Sequence, residues 1–93
     1  EKETAQEGIE KVCNGMARLL SEKNKRYGNS ALEPLRVFSR ADAADGIMVR
    51  LDDKLSRIKN SDKLRKNDIS DLIGYLVLLC IAQGWTDFDD LID

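Results

Sequence analysis

Histidine is absent from this chain. With it go imidazole acid/base catalysis, His-based metal ligation and every Ser-His or Cys-His nucleophile. Any chemistry falls to carboxylates, lysines or tyrosines. Cysteine is scarce: Cys13 and Cys80 are the only two. Each lies among apolar residues at helical spacing, so both are expected to be reduced core thiols. Long hydrophobic runs are missing as well. The longest, Leu76 to Ala82, is seven residues, far below the ~20 needed to span a bilayer. The N-terminus is too acidic for a signal peptide, so a cytoplasmic protein without a membrane partner is expected. Nor is there an excess of positive charge. Fifteen Lys and Arg face seventeen Asp and Glu, which leaves no bulk field to hold duplex nucleic acid.

What is present is helical. Ninety-three residues with 42% hydrophobic and 34% charged content predict one globular domain over 1–93. A chain this short leaves much of its surface uncovered, and packing against a second copy is a common remedy, so a homo-oligomer is expected. From Glu3 to Lys23, Ile9, Val12, Cys13, Met16, Leu19 and Leu20 recur at three- and four-residue steps, one face of an amphipathic helix. Asn24 to Ser30 lacks an apolar period and contains Gly28-Asn29, which predicts a loop. The single proline, Pro34, confines Ala31 to Ser39 to at most a short helix. A second long helix fits Ala41 to Lys59, with Ala44, Ile47, Met48, Leu51, Leu55 and Ile58 in one stripe. Gly46 weakens it by about 1 kcal/mol relative to alanine. A third, from Asp68 to Gln83, begins after a candidate cap at Asn67 and stops at Gly84. Its apolar residues cover nearly the whole circumference, which predicts a central or interfacial helix. The tail from Trp85 to Asp93 predicts a short closing helix, with Thr86 three before Asp89 as in a capping box. The fold expected is therefore all-α: a compact bundle of three main helices plus short ones, with the apolar helix near the C-terminus at its centre.

Three groups of residues could carry chemistry. On the second helix, Lys54, Arg50 and Arg57 lie about 60°, 100° and 120° to one side of Leu51, by 3.6 residues per turn. Asp53 follows beside them. Such a flank can grip phosphate through guanidinium forks, or serve as a solvated face of i,i+3 and i,i+4 pairs. On the third helix, Asp68 and Asp71 are three apart, with Tyr75 a turn further on. Carboxylates so spaced can share a magnesium ion, or simply favour a helix N-terminus. The loop residues Lys25, Arg26, Tyr27, Gly28, Asn29 and Ser30 offer cations, a stacking ring and hydrogen-bonding groups, the parts of a nucleotide clamp or of an ordinary turn.

The runs Lys25 to Ser30, Val49 to Arg57 and Asp68 to Tyr75 together resemble the nucleotide-modification-associated family of small phage and prophage proteins. The resemblance extends from about Met16 to Ile81. It implies an all-α fold, a phage origin, a bacterial host cell and a link to nucleotides. The order of elements is also similar to the MazG-type all-α nucleoside triphosphate pyrophosphohydrolases, whose paired E-x-x-E and E-x-x-D motifs surround magnesium. Asp68 and Asp71 match the second pair and Asp53 one member of the first, but Arg50 stands where another ligand belongs. A cation there repels the metal and suits phosphate. The resemblance thus implies a phosphorylated nucleotide held without turnover by Lys25, Arg26, Tyr27, Asn29, Ser30, Arg50, Asp53, Lys54, Arg57, Asp71 and Tyr75. In a phage setting, this would serve counter-defence by sequestering a host immune nucleotide. The alternatives are a magnesium-dependent hydrolase using Asp53, Asp68 and Asp71, and a protein-interaction inhibitor acting through the acidic tail.

Overall fold

The computed structural model describes residues 4–27 and 43–93, the side chain of Tyr27 excepted. These form helices α1 (Ala5–Tyr27), α2 (Ala43–Asn60) and α3 (Lys66–Ala82), then a 3-10 turn at Asp89–Leu91. No strand occurs among the described residues. The class is all-α, and among the described residues no helix is long and apolar enough to cross a membrane.

Helix α1 runs through Asn24 to Tyr27, where the sequence predicts a loop. The reason is local: Asn24, Lys25 and Arg26 tolerate helical dihedrals, and cations suit the negative C-terminal end of a helix. Lys25 also pairs with Glu22 one turn back, at 3.4 Å. The clamp loop therefore begins no earlier than Gly28, and its remaining members, Asn29 and Ser30, lie outside the described residues, as does the short helix expected at Pro34.

Helices α2 and α3 form a hairpin. Asn60 ends α2, and the turn that follows is pinned by Ser61, whose Oγ donates to the Lys63 carbonyl at 2.7 Å. Five residues, Ser61 to Arg65, complete the connection, a length that joins antiparallel helices. The expected cap of α3 at Asn67 is not there. Arg65 occupies that position without a side-chain cap bond, and Asn67 sits inside the first turn, its carbonyl accepting from Ser70 Oγ. The other end matches the sequence expectation. Gly84 adopts φ 77°, its N–H donates to Ile81 and that of Trp85 to Cys80, the paired bonds of a Schellman motif that glycine makes without steric cost. At the tail the capping acceptor is Asp87, which takes the Asp89 N–H at 2.9 Å, and not Thr86.

Helix α1 also lies antiparallel to α3. Leu20 rests on Gly74 and Lys23 reaches Asp71, so three residues forward on α1 is three back on α3. Helix α3 thus meets both other helices. It is not sealed on all sides: of its residues only Gly74 is buried, and Leu76, Val77 and Ile81 are exposed. The buried apolar core of the described residues is Ile47 and Leu51 of α2, 2% and 9% exposed. Cys13 is exposed and Cys80 half-buried, so neither is the fully enclosed thiol that the sequence suggests.

Candidate functional site

The Lys54 side chain is more enclosed than either carboxylate it meets. Helical spacing puts Lys54 one turn after Leu51 near the face that α2 turns to α3. There its side chain is only 12% exposed. Its Nζ donates to Asp71 Oδ2 at 3.0 Å and to Asp68 Oδ1 at 3.4 Å. Lys23 of α1 approaches the other Asp71 oxygen at 3.5 Å. Two cations and two carboxylates from three helices therefore meet at one point. Sequence reading missed Lys23. The available signal was its position three residues after Leu20, a charge set into the apolar stripe of α1.

These contacts bias the ionisation of both central groups. Lys54 is held above its ordinary value, first by its hydrogen bond to Asp71, against a smaller opposing effect of desolvation, and then by Asp68. For Asp71 partial burial pushes the carboxyl up, but the hydrogen bond and charge of Lys54, with Lys23 behind them, outweigh it and leave the group below its ordinary value. Both groups are thereby committed to their charged forms.

The arrangement does not fit magnesium. Asp68 gives one oxygen and Asp71 both to ammonium groups, and a lysine at 3.0 Å repels a divalent ion. Asp53 is exposed on α2 and does not join them. Among the described residues no three His, Cys, Asp or Glu side chains are grouped to hold a metal. Of Asp53, Asp68 and Asp71, the structure brings Asp68 and Asp71 together, on Lys54.

The expected cationic flank divides. Lys54 turns inward, while Arg50 and Arg57 stay exposed about 10 Å apart along the axis, seven residues at 1.5 Å each. Neither forms an ion pair among the described residues. Arg26 and Lys25 are exposed at the end of α1, and Tyr75 is half-buried one turn beyond Asp71 on α3. Compared with protein families, curated proteins and solved structures, the chain finds no match.

Proposed function

We propose that this chain is a small nucleotide-binding protein, acting as a homo-oligomer in the cytoplasm of a bacterial host, that holds a phosphorylated nucleotide without cutting it. The observation that carries this reading is the division of labour on α2. Lys54 neutralises the carboxylates that a magnesium hydrolase would need, while Arg50 and Arg57 remain exposed on the solvent side. Guanidinium groups so placed can bind phosphate oxygens two at a time. Tyr75 offers a ring for stacking, and Asp53 an acceptor for a sugar hydroxyl or base amine. Asp71 is already engaged by two lysines and contributes through Lys54 rather than as a free acceptor. A phage counter-defence role by sequestration rests on the family resemblance.

Calorimetry against mono-, di- and cyclic nucleotides tests the reading. Arg57→Ala is expected to lose charge-assisted hydrogen bonds worth on the order of 2 kcal/mol, about thirtyfold in affinity, without a matching loss of stability. Absence of binding by the wild-type protein would remove the reading. Pyrophosphate release with magnesium or manganese is expected to be nil, and turnover abolished by Asp71→Ala would restore the hydrolase.

One observation favours a second reading, an inhibitor that docks on another protein. The tail exposes Trp85, Phe88, Leu91 and Ile92 among Asp87, Asp89, Asp90 and Asp93, an acidic apolar motif that could enter a basic groove.

A further inference from the structure

The apolar stripe that seats α1 on α3 continues past the point where the two helices meet. Taking Leu20 and Gly74 as the contact, Ile9, Val12 and Met16 lie on the same side of α1, one to three turns earlier, by the 100° step of an α-helix. Val77 and Ile81 lie on the same side of α3, one and two turns later. Since the pair is antiparallel, these are the two halves of one face. It is open: Ile9 and Val12 are each 58% exposed, Val77 38% and Ile81 45%. Trp85 and Phe88, just beyond the end of α3, are half-exposed too.

Aromatic side chains present roughly 150–250 Å² each and Ile and Val less, so these six, about half exposed, leave on the order of 500 Å² of apolar surface in water. That equals the largest patch of an ordinary monomer, and it is most of the about 800 Å² that each partner gives to a standard interface. The chain's own residues 28–42 add only Leu32, Leu35, Val37 and Phe38 as large apolar groups. Fourteen large hydrophobics spread over the three helices, the α2–α3 connection and the tail are exposed, far more than four side chains can cover.

The edge of this face is shaped for another helix. Gly8 and Gly15 are seven residues apart, with Val12 between them and Leu19 one turn on, a heptad-like seam adjoining Ile9. A helix-interior glycine weakens a helix relative to alanine. Yet a Cβ at either position would meet nothing within 4 Å among the described residues, so no described contact calls for either glycine. Glycine at these positions leaves room for a second helix axis to approach α1 closely.

We infer that a second copy of this chain covers the face shared by the N-terminal half of α1 and the C-terminal half of α3, with α1 packed against α1 along Gly8, Val12, Gly15 and Leu19. The inference rests on the homo-oligomeric reading above and names its surface. A two-fold interface of this kind is self-complementary, since each copy offers the same apolar patch.

Sedimentation equilibrium on the full chain, with circular dichroism for helicity, tests it. The wild type is expected to be a dimer at tens of micromolar. Gly15→Leu should keep or raise helicity, because leucine is the better helix former, and yet weaken the dimer at least tenfold. Val12→Glu should do the same to the dimer, while Val49→Glu, on an exposed site of α2, should leave it intact. A dimer indifferent to Gly15→Leu and Val12→Glu would overturn this surface and leave the homo-oligomeric reading standing. A wild-type monomer would overturn both. A monomer that Gly15→Leu destabilises in spite of its better helix propensity would assign the seam to the chain's own residues 28–42, which also overturns the inference.

Discussion

Helix α3 makes two partnerships, and they differ in kind. Against α2, which carries the buried Ile47 and Leu51, it is joined by a five-residue connection and clamped by Lys54 between Asp68 and Asp71. Against α1 it has Leu20 on Gly74 and the Lys23–Asp71 pair, and beyond these an open apolar face. Both α1 and α2 carry amphipathic stripes of similar quality. The difference is connectivity: a short loop costs little entropy to close, so the hairpin is the first pairing to be rewarded. Amphipathicity alone marks a face that needs covering, and the chain's topology decides which face is covered within one copy.

The contrast can be broken most severely at the hairpin. Ile47→Ala removes a buried branched side chain, and is expected to cost about 3 kcal/mol in urea unfolding followed by circular dichroism. Val12→Ala, on the open face, should cost far less at concentrations where the chain is monomeric. Equal losses at the two sites would erase the distinction.

Next in size is Lys54→Met, which leaves Asp68 and Asp71 without their shared cation. Its cost should be smaller than that of Ile47→Ala, because Asp71 is 30% exposed and water screens it. The pH dependence is more telling than the midpoint. Asp71 is lowered in the fold, so its contribution is complete above the ordinary value of 3.8 and is lost as pH falls through the lowered one. Lys54 is raised, so its contribution is complete below the ordinary 10.5 and is lost as pH rises through the raised value. Wild-type stability should therefore decline at both extremes, and Lys54→Met should flatten both slopes. Unchanged slopes in the mutant would show that the clamp does not couple the helices.

Gly84→Ala places a Cβ at φ 77° and is expected to cost about 1 kcal/mol through strain at the end of α3. The smallest net effect should come from Gly74→Ala. Alanine favours the helix by about 1 kcal/mol, but its Cβ would sit 3.0 Å from Leu20 Cδ2, and the leucine tip must give way. The two terms nearly cancel in global stability. Hydrogen exchange would separate them: α1 amides should lose protection while those of α2 keep it, because the steric contact belongs to the α1–α3 pair alone. Loss of protection in α2 instead would mean that the three helices move as one unit.

Much of the fold was legible in the amino-acid sequence. Apolar spacing located three helices, and Gly84 fixed the end of α3, because these features depend on neighbours within a turn or two. Near α1's end the reading failed for the same reason: Lys25, Arg26 and Tyr27 are compatible with loop or helix, and local pattern did not choose between them. The hydrophobicity of α3 was equally plain, but not its surroundings, since exposure of Leu76, Val77 and Ile81 depends on where α1 and α2 lie. At the candidate site the sequence listed Lys54, Asp68 and Asp71, missed Lys23, and could not pair them. Spacing put Lys54 on one flank with Arg50, Arg57 and Asp53, and the family resemblance set Asp53 with Asp68 and Asp71 as metal ligands. Only the antiparallel docking of α2 on α3 turns Lys54 inward onto Asp68 and Asp71 and brings Lys23 across from α1. A contact between residues tens of positions apart is set by the relative placement of whole helices, and helical periodicity within each one carries no record of it.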